Sequence, residues 1–224
     1  MFISCFHGRP HVSSVFLDHC SKLGILGEIA AAVTIGDEAN ISLLDERGVR
    51  YVEMLNMPLG AKHNAALSLA IAMGGERFMV LPSDDIISEE WLGVFRSSDD
   101  AYASPDRCAV VEVATGSAKV ITNRPFGNRN FGAGRFFTMA VVEALGGKVW
   151  SDHKPDGLDT GSHGRIFAAG FHGVVKVTER IPICDLKTGD NIWPYSQWKG
   201  TPVGLDEALH MAPWVMQALS VKEA

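Results

Sequence analysis

An apolar run ends at two adjacent carboxylates in the segment Phe78-Met79-Val80-Leu81-Pro82-Ser83-Asp84-Asp85-Ile86-Ile87. The apolar part is typical of a buried parallel strand, and open parallel sheets bind ligands at the carboxyl ends of their strands. Two carboxylates at that position suit a divalent cation and the diphosphate whose charge the cation would neutralise. The alternative interpretation is an acidic turn in which Ser83 or Asp84 caps a helix beginning near Ser88.

The sequence before this stretch alternates between strand and helix patterns. Apolar residues at helical spacing separate short apolar runs, which indicates β-α-β-α-β followed by one more helix and the strand above. The predicted strands are Phe2–Phe6, Glu28–Ile35, Tyr51–Leu55 and Arg77–Leu81, and the helices between them contain Val12–Leu23, Ile41–Glu46 and Ala66–Met73. We therefore predict an α/β fold with a mostly parallel, Rossmann-like sheet flanked by helices.

Trp91, Leu92 and Phe95 indicate one further helix after the two aspartates. The regular alternation of strands and helices then stops, and the apolar runs on either side of Ala114-Thr115-Gly116-Ser117 indicate a hairpin. A segment rich in Gly, Asn and Arg follows. The predicted elements are hairpin strands at Cys108–Val113 and Lys119–Thr122, helices near Phe136–Leu145, Asp159–Ala169 and Asp206–Leu219, and a strand at Val174–Thr178.

Composition limits the classes of protein that fit. With 224 residues, of which 46% are hydrophobic and 21% charged, the chain can bury one core as a single domain over 1–224. Its formal net charge of −6 gives no overall basic face for nucleic acid. The four cysteines are scattered without a Cys-x-x-Cys pair, so neither a zinc site nor a disulfide framework is indicated. There is no targeting pattern or run of membrane-spanning length, and we expect a soluble cytoplasmic protein without stable membrane insertion.

The segment Asn56-Met57-Pro58-Leu59-Gly60-Ala61-Lys62-His63-Asn64-Ala65-Ala66-Leu67, followed by the strand ending at Ser83-Asp84-Asp85, resembles the GT-A fold glycosyltransferases, particularly their small single-domain inverting enzymes. The resemblance covers about the first ninety residues in order and spacing. It implies a metal-dependent enzyme, using Mn²⁺ or Mg²⁺, that moves a sugar from a nucleoside-diphosphate sugar to an acceptor hydroxyl. Residues 1–100 would form the nucleotide-sugar-binding half and residues 101–224 the acceptor-side half.

The same resemblance assigns roles to individual positions. Asp85 would be the direct metal ligand, and Asp84 would lie at the ribose or at a metal-bound water. Many relatives have an acidic residue where Pro82 stands, so the division of labour between the two aspartates stays open. The remaining donor-binding positions in this half are Phe6 and Arg9 beside the base and ribose, Asp37 at the base, Lys62 at the diphosphate or base, and Asn64 beside it.

In the second half, the resemblance places the base that deprotonates the acceptor at Asp159, and Asp156 is near enough to exchange roles with it. Asp159 is equally a candidate N-cap of the predicted helix. Lys187 and Trp193 could close over the donor, with the cation at the diphosphate and the indole over a sugar. Alternatively, Trp193 packs against the sheet.

Two other classes compete with a glycosyltransferase. A nucleotidyltransferase that forms nucleotide sugars has related metal chemistry but needs a glycine-rich, arginine-containing loop after the first strand, and His7-Gly8-Arg9-Pro10 is short for that purpose. A binding protein without turnover is the third class.

The acceptor stays open between a saccharide and a modified nucleic-acid base. Arg124, Arg129 and Arg135, with Phe126 and Phe131, could recognise phosphate or form an ordinary loop.

Overall fold

The computed structural model describes residues 1–122, 131–189, 191 and 194–220, apart from the side chains of 217 and 220. Its strands form two sheets. The strands are β1 Phe2–Phe6, β2 Ile29–Thr34, β3 Arg50–Met54, β4 Arg77–Val80, β5 Asp85–Ile87, β6 Tyr102–Pro105, β7 Arg107–Glu112, β8 Ser117–Thr122, β9 Phe136–Thr138, β10 Val174–Lys176, β11 Ile183–Lys187 and β12 Thr201–Val203. The helices are α1 Pro10–Lys22, α2 Glu38–Glu46, α3 Leu59–Ala72, α4 Glu89–Ser97, α5 Met139–Ala144, α6 Leu158–Ala168, α7 Leu205–Ala208 and α8 Val215–Ser220.

The larger sheet has the strand order β10-β6-β9-β4-β1-β2-β3. Strands β3, β2, β1 and β4 pair with one another in parallel, as the alternation of the first half predicts. Strand β9 is antiparallel to both β4 and β6, and β10 is parallel to β6. The mostly parallel α/β prediction is therefore confirmed, and the carboxyl ends of β1, β2 and β4 meet at one edge of the sheet.

The predicted helix over Phe136–Leu145 is wrong at its start, because Phe136 belongs to β9 and the helix begins at Met139. The two phenylalanines point to opposite faces of the sheet. Phe136 packs against Trp91 at 5.9 Å between ring centroids, whereas Phe137 packs against Trp150 at 6.0 Å. A pair that fills two separate cores needs the two-residue period of a strand.

The smaller sheet has the order β12-β8-β7-β11-β5. It contains the predicted β7–β8 hairpin, and β11 is parallel to β7 but antiparallel to β5. Strand β5 shows that the two aspartates do not cap a helix. The helix that follows is capped by Ser88, whose Oγ accepts a hydrogen bond from the Trp91 amide at 3.0 Å. The capping interpretation of Ser83 and Asp84 is thus wrong, while the helix itself is confirmed.

The predicted C-terminal helix over Asp206–Leu219 is two short helices, α7 and α8. Pro213 lies between them, and a proline inside a helix removes a backbone donor and clashes with the preceding turn. Among the described residues, no helix is long and apolar enough to cross a membrane.

Candidate active site

Asp84 and Asp85 follow β4 at the edge where the parallel strands end, and Asp84 directly precedes β5. Asp85 is the first residue of β5 and is only 3% exposed. It occupies the register position directly opposite Asp185 of β11. The sequence alone assigns no role to Asp185, since nothing in the sequence shows that β5 and β11 pair.

Burial and proximity make these carboxylates hard to ionise. Burial, followed by the neighbouring Asp185 and Asp84 charges, raises the pKa of Asp85 well above its usual value. Burial likewise raises the pKa of Asp185 to about 6, although Lys187 acts against this. Two carboxylates that face each other in a largely buried site need a proton or a cation between them.

Lys187 supplies part of the compensating charge. Its Nζ lies 2.6 Å from Asp185 Oδ2, and its side chain is 8% exposed. Burial opposes its charge, but Asp185 and Asp84 outweigh burial and raise the pKa of Lys187. Lys187, which the sequence analysis places at the nucleotide-sugar donor, is therefore a charged ammonium group beside Asp185.

Asp84 is held by two donors from different parts of the chain. Arg9 Nη1 donates to Asp84 Oδ2 at 2.9 Å, and Asn191 Nδ2 donates to the same oxygen at 2.8 Å. Arg9 has left-handed backbone angles, φ 50° and ψ 49°, directly after Gly8 at φ 56°. This conformation is uncommon for a residue with a side chain. The tight turn after β1 brings the predicted residue Arg9 to the two aspartates.

Two other predicted positions, Asp37 and Phe6, support the turn after β1 and the core beneath it. Asp37 Oδ2 accepts hydrogen bonds at 2.8 Å from the Gly8 amide and from Asn40 Nδ2, so it fixes the same turn. The ring of Phe6 is fully buried and packs edge to face on Phe16 at 5.9 Å. The Phe6 ring therefore belongs to the core, and the position of the first strand's exit beside a base and ribose stays a prediction.

Lys62 lies beneath the same edge and is 1% exposed. Its Nζ donates to the Phe6 carbonyl at 2.6 Å, to Thr34 Oγ1 at 2.7 Å and to Asn56 Oδ1 at 3.2 Å. These three acceptors use all three ammonium protons. Lys62 therefore ties β1, β2 and the loop before α3 together, and its contact with a diphosphate stays a prediction that this arrangement disfavours.

The side chain of Asn64 contacts the loop after α5. Its Nδ2 donates to the Trp150 carbonyl at 2.8 Å and to Asp152 Oδ1 at 2.7 Å, and its Oδ1 accepts from the Trp150 amide at 3.2 Å. The side chain is buried and its polar atoms are engaged, so Asn64 joins α3 to the loop after α5. Its predicted role in donor binding has no geometric support here.

Asp159 lies in the first turn of α6, and the N-cap of that helix is Gly157. The N-cap interpretation of Asp159 is therefore wrong. Its side chain is 53% exposed, and its charge is among those that raise the pKa of Asp85 after burial, Asp185 and Asp84. Asp159 is thus close enough for its charge to act on Asp85, while Asp156 lies exposed in the turn before the helix. The predictions for Trp193, Arg124, Arg129 and Phe126 fall outside the described residues.

Whether these residues suit a divalent cation depends on Asp85 and Asp185. In the described part of the chain, no group of three or more His, Cys, Asp or Glu residues is arranged to hold a metal ion. The pair nevertheless has a free ligand atom, since Asp185 Oδ1 is buried and has no hydrogen-bond partner among the described residues. Magnesium is commonly held by one or two carboxylates together with substrate phosphates and water. The residues present fit a cation that binds together with a phosphorylated ligand.

Comparison with solved structures supports the interpretation of the fold. The inositol-1-phosphate CTP transferase of T. maritima matches with a TM-score of 0.55 and 12% identity, over 94% of this chain and 84% of that one. A fragment of TarS from S. aureus, a glycosyltransferase, matches with a TM-score of 0.55 and 10% identity, over 83% of this chain and 59% of the fragment. The same fragment in complex with UDP gives a TM-score of 0.53 and 11% identity. No protein-family model matches the chain, and no curated protein sequence matches it.

The protein therefore has a GT-A-like fold of the Rossmann-like α/β type. Both kinds of neighbour are transferases, one moving a sugar and the other a nucleotidyl group. At 10 to 12% identity the likeness defines the fold, and the choice between these reactions depends on the site.

Proposed function

We propose that this protein is a glycosyltransferase that transfers a sugar from a nucleoside-diphosphate sugar to an acceptor hydroxyl with the help of Mn²⁺ or Mg²⁺. The observation that carries the proposal is the facing pair Asp85 and Asp185, at 3% exposure for Asp85 and with Lys187 inserted beside them. A largely buried pair of carboxylates is costly unless something cationic binds to it. A cation bound with a diphosphate satisfies both the pair and the ligand.

Asp85 and Asp185 would hold the cation, which when bound stabilises the charge on the departing phosphate. Lys187 and Arg9 would hold the phosphate oxygens on the same side. Each of these groups is already held in place, Lys187 by Asp185 and Arg9 by Asp84. Preorganised charges of this kind stabilise a transition state without reorganising as the charge develops.

On the opposite side of the anomeric carbon, Asp159 would accept the proton of the acceptor hydroxyl as its oxygen attacks. The bond to the nucleoside diphosphate then breaks, and the configuration at the anomeric carbon inverts. A well-placed general base contributes about 10² to 10⁴ in rate. A product that retains the donor's anomeric configuration would remove Asp159 from this role.

The turn after β1 favours sugar transfer over nucleotidyl transfer. Strand β1 ends at Phe6 and helix α1 begins at Pro10, so only three residues separate them. A glycine-rich phosphate-binding loop, as a nucleotidyltransferase would need here, is longer than this turn. Nucleotidyl transfer is the second candidate, because the T. maritima enzyme matches 94% of this chain.

The first experiment is a thermal-shift panel of nucleoside diphosphates and nucleotide sugars, with and without Mn²⁺, on the wild type and on Asp85→Ala. A ligand bound only by the native state raises the melting temperature. We expect one nucleotide to stabilise the wild type only with Mn²⁺, and this effect to be lost in Asp85→Ala. Asp206→Ala, which removes an exposed carboxylate from α7, is the matched control and should respond like the wild type.

Product analysis separates the classes. Hydrolysis of the nucleotide sugar, or its transfer to saccharide or hydroxymethylated-base acceptors, supports a glycosyltransferase. Release of pyrophosphate from a nucleoside triphosphate and a sugar phosphate would instead identify a nucleotidyltransferase. Binding without turnover over a broad acceptor panel would identify a binding protein, and no shift with any nucleotide would refute the proposal.

A further inference from the structure

Arg135 is a buried charge that the proposed chemistry does not yet use. Its side chain is 1% exposed. Its backbone extends the pairing of β4, since the Val80 amide donates to the Arg135 carbonyl and the Gly134 amide donates to the Val80 carbonyl, both at 2.8 Å. Arg135 is therefore fixed to the strand that leads directly into the two aspartates.

Its side chain reaches the first turn of α6. Nη1 donates to the backbone carbonyl of Asp159 at 2.9 Å, and Nη2 lies 3.6 Å from Asp159 Oδ1. Nη2 is buried and makes no hydrogen bond to any described residue. An arginine stays charged at every physiological pH, so this nitrogen is a fixed positive charge directed at the Asp159 carboxylate.

Two further side chains hold the guanidinium in place. Arg135 Nη1 lies 3.5 Å from the Tyr102 hydroxyl, and that hydroxyl lies 2.8 Å from His163 Nδ1. Since arginine only donates, Tyr102 accepts from it and donates its own proton to His163. His163 belongs to the same helix as Asp159, so the network fixes α6 against β6.

Gly132 lies directly against the carboxylate of Asp159. A Cβ atom at Gly132 would lie 1.9 Å from Asp159 Oδ1 and 2.6 Å from its Cγ. No side chain fits there unless the carboxylate moves. The segment from Gly132 to Arg135 thus touches the Asp159 carboxylate from two directions, sterically and electrostatically.

We propose that Arg135 and Gly132 are positioning residues, which hold the Asp159 carboxylate at a fixed place relative to the Asp84–Asp85 end of β4. This inference rests on the proposed function, in which Asp159 accepts the acceptor's proton. The segment from Gly132 to Arg135 is bonded to β4, which leads to the aspartates proposed on the side of the leaving group. It also contacts Asp159, which is proposed on the side of the attacking hydroxyl. A misplacement of about 1 Å in such a constellation can cost about 10² in rate.

The test compares Gly132→Ala, Arg135→Met, Arg135→Lys and Asp159→Asn with the wild type. Gly132→Ala displaces the carboxylate without removing any charge, so it is the decisive variant if Arg135→Met folds poorly. Gly164→Ala is the matched control, because a Cβ at this position of α6 meets open space. We measure the melting temperature of each variant, together with kcat for sugar transfer and the KM for the nucleotide-sugar donor.

We expect Gly132→Ala and Arg135→Met to lower kcat by about 10², with little change in the donor KM or in the Mn²⁺-dependent nucleotide shift. Arg135→Lys should recover part of kcat. Adding Arg135→Met to Asp159→Asn should cost no further activity, because both changes remove the same function. Gly164→Ala should keep the wild-type kcat.

Wild-type kcat in Gly132→Ala, or independent losses that multiply in the double variant, would overturn the inference while leaving the proposed function intact. A purely structural Arg135 would lower the melting temperature and affect the nucleotide shift as strongly as kcat, which would also overturn it. A wild type that neither binds a nucleotide with Mn²⁺ nor turns one over would refute the proposed function, and this inference with it.

Discussion

Asp185→Asn should have opposite effects with and without a divalent cation. Moving a carboxyl pKa from 3.8 to about 6 costs the native state about 3 kcal/mol near neutral pH. The amide removes this cost and also the repulsion that hinders ionisation of Asp85, yet its oxygen can still accept from Lys187. Weakening the pairing with Lys187 offsets part of the gain. We expect the variant without metal to be more stable than the wild type by about 1 to 3 kcal/mol.

Urea unfolding at about pH 7 in the presence of a chelator measures the first effect. A gain of 1 kcal/mol corresponds to a melting-temperature rise of about 2 to 4 °C for a chain of this size. With saturating Mn²⁺ and nucleotide, the order should reverse. The wild type should gain about 2.7 kcal/mol at a ligand concentration of one hundred times Kd, while the variant gains far less.

Asp206→Asn, which removes the same charge from an exposed site on α7, should match the wild type in both conditions. The reasoning would be refuted by an Asp185→Asn variant that is less stable than the wild type without metal and keeps the full Mn²⁺-dependent gain. That result would mean that Asp185 serves to neutralise Lys187 and that no cation lies between β5 and β11.

Two further predictions follow from the same edge of the sheet. Lys62→Met should lower the free energy of unfolding by about 2 to 4 kcal/mol, because it removes the three hydrogen bonds that the buried ammonium group donates, and urea unfolding measures this loss. Without a divalent cation, the free energy of unfolding should fall as the pH rises from about 4 to about 7, since native Asp85 and Asp185 keep protons that the unfolded chain has released. Saturating Mn²⁺ should flatten this dependence, and an equal slope with and without the metal would contradict it.

The sequence determines the first half of the fold because its information there is local. Strands β1, β2 and β4 are short apolar runs separated by helical patterns, and a parallel sheet is the arrangement in which such strands are buried on both faces, with β3 as its edge strand. The position of Asp84 and Asp85 at the sheet edge follows from the same pattern. The placement of Arg9 at this edge follows equally, since it is the third residue after β1.

The tertiary structure alone decides which polar residues meet. Asp85 and Asp185 are separated by 100 positions, and only the antiparallel pairing of β5 with β11 sets them opposite each other. The hydrogen-bond partners of Lys62 and Asn64 also lie far away in the sequence, so only the tertiary structure shows which elements these side chains join. The sequence places Arg135 in a polar segment, yet its side chain is buried beside Asp159. The missing side chain of Gly132 leaves the space that the Asp159 carboxylate occupies. Periodicity encodes which face of an element is buried, but a charge is placed by partners far along the chain, and a single sequence carries no local signal for that pairing.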